Sequence, residues 1–146
     1  MEERNEIGFK IRCISNMIRR KLDVTFTEPE FDGLTGVQNA MMHYIMEGAK
    51  ERDVFQRELE KEFSLRRSSV TVMLQNLEQK GYIRRIPVSS DARLKKIVLT
   101  EKAEKMQERV EAELTSFHRK LEAGFTEEEK EQFLFLLEKL RQNLTK

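Results

Sequence analysis

With a single cysteine in 146 residues, the chain has no intrachain disulfide framework and no cysteine spacing of a zinc site. Its two histidines, His43 and His118, stand too far apart to make a ligand pair. No Ser-His-Asp, Cys-His or phosphate-loop constellation occurs at workable spacing, so an enzyme is not expected, nor a metal or other cofactor. Two prolines and six glycines leave no low-complexity tract or flexible linker that would split the chain into independent domains. No run of eighteen apolar residues occurs, and the acidic, polar opening from Met1 to Glu6 is unlike a leader. A soluble, unprocessed protein of a reducing cytoplasm, with no membrane partner, is the expectation.

Net charge is also nearly absent: 27 basic residues face 26 acidic ones. The balance hides a segregation. Residues 63–100 contain eight Lys or Arg and two acids, whereas 1–33, 34–62 and 101–146 each carry a small acidic excess. A local basic surface on a neutral chain is the electrostatic footprint of a polyanion partner.

What the chain has in quantity is helical periodicity. Ile7, Ile11, Ile14, Ile18 and Leu22, flanked by Phe9, Cys13 and Met17, predict a first helix over about 5–25 with a wide apolar arc. Thr35 and Gln38 form a capping-box pair for a second helix closed near Gly48, with Val37, Met41, Tyr44 and Ile45 expected inward. Asp53 and Gln56 repeat the pattern before a short helix carrying Phe55, Leu59 and Phe63. After a turn at Ser64-Leu65, Val70, Met73, Leu74 and Leu77 share one face of a further helix that Gly81 ends. Its opposite face holds Ser68, Thr71, Val72, Gln75 and Gln79, preceded by Arg66 and Arg67, with Ser69 at its edge. Short uncharged polar side chains suit a major-groove floor, and the helix amino end attracts phosphate; an ordinary solvated face would be richer in Glu and Lys.

Two β-rich runs, Tyr82–Val88 and Lys95–Thr100, are joined by Ser89-Ser90-Asp91-Ala92-Arg93 and predict a basic hairpin carrying Arg85, Arg93, Lys95 and Lys96. Asp91 is placed to accept hydrogen bonds from loop amides or from Arg93, aiming a guanidinium that fits a minor groove. Beyond it, Met106, Val110, Leu114, Phe117 and Leu121 mark a long helix to about Ala123. Thr126 and Glu129 cap a last helix bearing Phe133, Leu136, Leu137, Leu140 and Leu144.

The reading is mainly α (α+β): a winged helix-turn-helix over 34–100, which is a DNA-binding module. Helices at 1–33 and 101–146 carry more apolar surface than one core can use, and form an expected homodimerisation region. A winged protein-interaction module that does not touch DNA is the competing reading.

The chain resembles the MarR family of bacterial transcription regulators along nearly its whole length. The resemblance lies in Leu34-Thr35-x-x-Gln38, Gln56-x-Glu58-Leu59-x-x-x-Phe63, Ser68-Ser69-Val70-Thr71-x-x-Leu74-x-x-Leu77-Glu78-x-Lys80-Gly81-Tyr82-Ile83, Ser90-Asp91-x-Arg93 and Ile97-Val98-Leu99-Thr100-Glu101-Lys102. It implies a homodimeric repressor on a pseudo-palindromic duplex, often released by a small phenolic or amphipathic ligand, with Arg93 in the minor groove. The sequence departs from the family in Ser64 where glycine is frequent, Arg66 where a capping serine is usual, and Val72 where arginine is frequent. An effector site is expected among Arg12, Met17, Met41, Met42 and His43, with Ile14, Ile18, Tyr44, Ile45 and Arg19 nearby; methionines on helices also serve as plain core. A redox-sensing branch of the family has a cysteine in the first helix. Here Phe9, Met17 and the isoleucines surround Cys13 with apolar groups that mute its reactivity, and a structural thiol is expected.

Overall fold

The hydrophobic stripes of the sequence become six helices and one hairpin in the computed structural model, which describes residues 4–88 and 91–146. The order is α1 (Ile7–Phe26), a 3₁₀ turn (Pro29–Phe31), α2 (Gly36–Ala49), α3 (Gln56–Glu62), α4 (Arg67–Gln79), β1 (Ile83–Val88), β2 (Asp91–Leu99), α5 (Glu101–Leu121) and α6 (Glu127–Leu144). The chain divides into two compact units, Met1–Val110 and Glu111–Lys146, with the boundary inside α5. None of the described helices is long and apolar enough to cross a membrane.

In the first unit the core is built where α2, α3, α4, the hairpin and the start of α5 bring their apolar stripes together. Met41, Met42, Ile45, Leu59, Val70, Leu74 and Leu77 are fully buried, with Tyr82, Ile83 and Ile97 from the hairpin and Ala103 and Met106 from α5. Truncating one of these leucines costs about 2–5 kcal/mol, a large share of a small domain's stability. The expected inner face of α2 is corrected: Val37 is 40% exposed and Tyr44 half-buried, while Gln38, Asn39 and Met42 turn inward. Met41 and Ile45 are buried as expected, and the Gln38 amide reaches across to Asn76 of α4.

Helix ends follow local chemistry, with an exception at α3. Thr35 and Gln38 close a reciprocal capping box at α2, and Thr126 and Glu129 do the same at α6. At α3 the N-cap is Phe55, whose backbone N–H donates to Glu58 Oε1 at 3.3 Å, and not Asp53, which ion-pairs with Lys96 at 3.7 Å. The cause is long-range: Val54 accepts a hydrogen bond from the Ile97 N–H at 2.8 Å, so this stretch lies extended against β2. α2 ends at Ala49, next to Gly48 as expected, and a Cβ on Gly48 would meet Val54 Cγ2 at 2.9 Å. Close approach explains that glycine.

The hairpin pairs antiparallel from Ile83↔Leu99 to Pro87↔Lys95, then jumps to Val88↔Asp91. Asp91 and Arg93 therefore belong to β2 at a bulge; the remaining wing-tip residues of the sequence reading, Ser89 and Ser90, fall outside the described residues. At the base, Gly81 (φ +82°) ends α4 in a left-handed turn, with Tyr82 N–H bonded to Leu77 O at 2.9 Å and Gly81 N–H to Glu78 O at 3.0 Å. Tyr82 donates its hydroxyl to Asp32 Oδ2 at 2.7 Å, and the Lys102 ammonium lies 4.5 Å from the Tyr82 ring centre. That hydrogen bond holds the Asp32 carboxyl below its ordinary range, and burial pushes the Tyr82 hydroxyl well above its own. Lys80 and Lys102 complete a knot joining the α1–α2 connection, the end of α4 and the start of α5.

The turn between α3 and α4 has the same shape with a less suited residue. Ser64 has φ +49°, and its N–H and that of Leu65 bond back to Lys61 O and Glu60 O. The left-handed conformation costs an L-residue about 1–2 kcal/mol, partly offset in a Gly variant by ~0.5–1 kcal/mol of extra unfolded-state entropy. Ser64→Gly is expected to leave unfolding free energy unchanged or raise it by up to ~1 kcal/mol in urea titration. A clear loss would show that the hydroxyl, not the backbone shape, matters there.

Candidate nucleic-acid interface

Because Val70, Leu74 and Leu77 face the core, α4 must turn Ser68, Val72, Gln75 and Gln79 to solvent, with Arg67 exposed at its first residue. Val72 is 65% exposed, a large apolar side chain amid polar neighbours. Ser69 and Thr71 are half-buried. Arg66 is the N-cap but makes no side-chain capping bond, and nothing anionic occupies the first turn. The first amides of α4 thus lack the usual internal partner.

Two glutamines hold this helix. Gln56 of α3 donates from Nε2 to Thr71 Oγ1 at 2.8 Å and more weakly to Arg67 O at 3.4 Å. Gln38 of α2, 6% exposed, donates to Asn76 Oδ1 at 2.9 Å while its Oε1 accepts the Thr35 N–H at 3.1 Å. A helix pinned at its start and its middle presents its outer face at a fixed angle.

The wing supplies the charge. Asp91 Oδ1 accepts the Arg93 N–H at 2.9 Å, so the carboxylate orders the backbone of the bulge and leaves the guanidinium exposed. Lys95 is exposed on the same side of β2, whereas Lys96 projects to the other side toward Asp53. Arg85 pairs in register with Ile97 and sits under the wing, its Nε 3.7 Å from Glu78 Oε2. Between α3, the start of α4 and the inner face of the hairpin lies a cleft of about 590 Å³, lined by Arg67, Arg85, Arg93 and Lys95 together with Arg57 and Glu60.

A sequence profile of the MarR family matches residues 32–94, the stretch that contains α2, α3, α4, β1 and the start of β2. Among solved structures, a point mutant of Staphylococcus aureus MepR is 27% identical over 95% of this chain and 98% of its own, with a TM-score of 0.83. A MepR–DNA complex from the same organism is 26% identical over 95% and 96%, with a TM-score of 0.75. The transcription regulator MarR from Oenococcus oeni is 29% identical over 97% and 100%, with a TM-score of 0.66. The chain is thus similar to MarR-family transcription regulators, by the family profile over 32–94 and by its winged-helix fold over nearly its whole length.

Of the site residues read from sequence, the structure gathers Arg67, Arg85, Arg93 and Lys95 around one cleft, and sets Ser68, Val72 and Gln75 on one exposed helix face. The MarR-family effector residues are not alike in placement. Met41 and Met42 are wholly buried as core, offering no surface in this conformation, while Arg12, Met17 and His43 are exposed. Tyr44 accepts from Arg52 at 3.1 Å and donates to Glu58 at 3.3 Å. Cys13 is half-buried on α1. Sequence reasoning missed Arg57 and took Gln56 for a cap; that both lie on the α3 surface facing the wing is a tertiary fact with no local signal.

Gln38 is the sharper test of how α4 is held. Gln38→Leu removes the bonds to Asn76 and to the Thr35 amide while keeping the volume, and is expected to cost about 1–3 kcal/mol of stability. It should also speed hydrogen exchange along α4. A cost under about 0.5 kcal/mol would mean that packing alone sets the helix angle.

Proposed function

We propose that the protein is a homodimeric repressor that reads a pseudo-palindromic DNA duplex, with α4 in the major groove and the wing in the adjacent minor groove. The observation that carries this is the pairing of an exposed, largely uncharged polar face on α4 with a basic cleft and wing beside it. Phosphate contacts by Arg67, Arg66 and Lys95 give affinity without sequence preference. Ser68, Gln75 and Thr71 offer hydrogen bonds to base edges, and Val72 offers methyl groups that match a thymine C5-methyl. Lys96, whose ammonium faces Asp53, contributes to the general field. The similarity to MepR, one of whose structures holds DNA, supports the same reading.

The dimer follows from apolar surface left uncovered. On α1, Ile7, Ile14, Met17 and Val24 are each at least half exposed and no residue is buried. In the second unit, α6 likewise buries none of its residues, and Phe133, Leu134, Phe135 and Leu136 are all half exposed or more. Each such side chain contributes about 1.5–3 kcal/mol when taken out of water, which a second copy can supply. The helical segments 1–33 and 101–146 are accordingly assigned to dimerisation, and 34–100 to DNA. Sedimentation is expected to give a dimer at low micromolar concentration; a folded monomer there refutes the assignment.

Selection of duplexes from a random pool is expected to return a near-palindrome with half-sites about 10 base pairs apart. On that duplex Arg93→Ala should cost about 1–3 kcal/mol, and replacing the contacted thymine by uracil should weaken the natural protein but not Val72→Ala. Unchanged affinity of Arg93→Ala at physiological salt removes the wing from the reading. No binding to any duplex, at low salt as well as high, favours the protein-interaction module instead. Release by a small amphipathic anion, anchored by Arg12 or His43 beside Met17, requires that saturating operator weaken the ligand equally; calorimetry that finds no such coupling excludes it.

A further inference from the structure

Two acids, Glu78 and Asp91, stand among the eight basic residues of 63–100, and a carboxylate there repels the phosphates that the rest of the segment attracts. Asp91 has a local task, since it accepts the Arg93 N–H at 2.9 Å and orders the bulge. Glu78 has none within its own helix. It lies in the last turn of α4, where the helix dipole disfavours negative charge and no basic residue of that turn offsets it. What faces it is β1. The Arg85 Nε lies 3.7 Å from Glu78 Oε2, an ion pair that stops short of the roughly 2.7–2.9 Å of a charge-assisted bond. Nε and Nη2, the two donors along one edge of the guanidinium, are buried and have no hydrogen-bond partner. Leaving that edge unmatched is costly, because buried donors are normally satisfied. The Arg85 side chain is 21% exposed and that of Glu78 45%, so the carboxylate is the freer of the two to turn through the remaining distance.

The geometry points to Glu78 and Arg85 as a positioning pair for the wing: the carboxylate takes both donors of the buried guanidinium edge and ties β1 to the last turn of α4. The place matters because the hairpin leaves the core just there. Ile83 and Ile97 are buried, but Ile86, Pro87 and Leu94 beyond them are exposed, and between α4 and β1 the chain turns on Gly81 (φ +82°). Arg85 reaches back from this rising stretch to α4, with its backbone held opposite Ile97 in the ladder. A bidentate fork sets an angle as well as a distance, which the point charge of a lysine does not. The inference rests on the DNA reading above, in which α4 occupies a major groove and the wing the adjacent minor groove. The tilt of one against the other then decides whether Arg93 reaches its groove while α4 is seated. Arg85 acts through Arg93 and not on the duplex itself, its charge being matched inside the protein.

The test uses the full-length protein, the selected duplex and a random duplex of equal length, each titrated over a range of salt. Glu78→Gln is expected to weaken the selected duplex about fivefold, although it removes a negative charge and on Coulombic grounds alone would strengthen both duplexes. Arg85→Gln should weaken it by a similar factor and leave the slope of log affinity against log salt unchanged, because a guanidinium matched by Glu78 neutralises no phosphate. The double variant should bind no worse than either single one. Arg93→Ala, which costs the natural protein about tenfold, should cost less than about threefold in the Glu78→Gln background, because a wing that is not held no longer delivers its arginine. Glu60→Gln, which removes the carboxylate lining the cleft, should leave the full Arg93 effect in place. Thermal melts check each fold. If Arg85→Gln melts without cooperativity, Arg85→Lys takes its place, keeping the charge but not the fork, and the couplings to Glu78→Gln and Arg93→Ala decide. Tighter binding of Glu78→Gln to both duplexes overturns the proposal, since Glu78 is then only a repelling charge. So do additive losses in the double variant, or a slope that falls by ~0.9 in Arg85→Gln, which marks a phosphate contact. Loss of the Arg93 effect in Glu60→Gln gives the role to the other carboxylate and overturns it as well. Failure of the natural protein to bind any duplex removes the DNA reading itself and this proposal with it, an outcome distinct from the others.

Discussion

What α4 shows to the outside is decided by what it buries. Val70, Leu74 and Leu77 have no exposed surface, and their spacing fixes the rotation of the helix about its own axis. Rotation alone is not enough, because a helix seated only by apolar contacts can slide. The amides of Gln38 and Gln56 turn the seating into a register: one grips Asn76 and the other the Thr71 hydroxyl, five residues apart on the same helix. Bonds of this kind are modest in net free energy but costly to leave unmade, so they discriminate between arrangements more than they stabilise one. The Tyr82–Asp32–Lys102 knot does the same at the far end, where α4 meets the wing and α5.

Local chemistry could be read from the residues themselves, and it was right wherever the answer was local. The caps at Thr35 and Thr126, the left-handed stop at Gly81 and the apolar stripe of α4 all depend on residues within one or two turns of each other. Where the reading of the first unit failed, a distant partner had decided. Asp53 looks like a cap, but β2 draws Val54 into an extended stretch and Lys96 takes the carboxylate. Gly48 was read as the close of α2, and α2 does end beside it; that Val54 also crosses close to it there had no local signal. Val37 fits the apolar stripe of α2, yet the buried face runs instead through Gln38, which bonds Asn76, and Val37 is left 40% exposed. The cleft was half legible: its cations were in the sequence as a basic cluster, but Arg57 belongs to a different charge region of the chain and joins only through folding.

The two sets of helices outside the winged core are treated oppositely by burial. The first half of α5 gives Ala103, Met106, Gln107 and Val110 to the first unit, and so behaves as core. From Leu114 onward its stripe is only partly covered, and α6 buries nothing. A regular heptad pattern running along α5 therefore serves two purposes in succession, intrachain packing and then an open apolar face. Periodicity cannot distinguish them, since both require the same spacing.

The division of charge sharpens how affinity and selectivity are separated in this protein. Val72 stands where arginine is frequent, so the reading face of α4 has no cation between Arg67 and the helix end except at its C-cap, Lys80. Long-range attraction then comes from the flanks, the cleft and the wing, and falls with salt. The central face contributes short-range terms, hydrogen bonds and methyl contacts, which depend on the base pair and little on salt. A chain with almost no net charge is suited to such an arrangement: its net basic excess lies in residues 63–100, and the small acidic excess of the other segments disfavours non-specific adhesion elsewhere. Val72→Arg is expected to strengthen binding to every duplex, so that the preference for the selected one over a random one shrinks when both are titrated side by side.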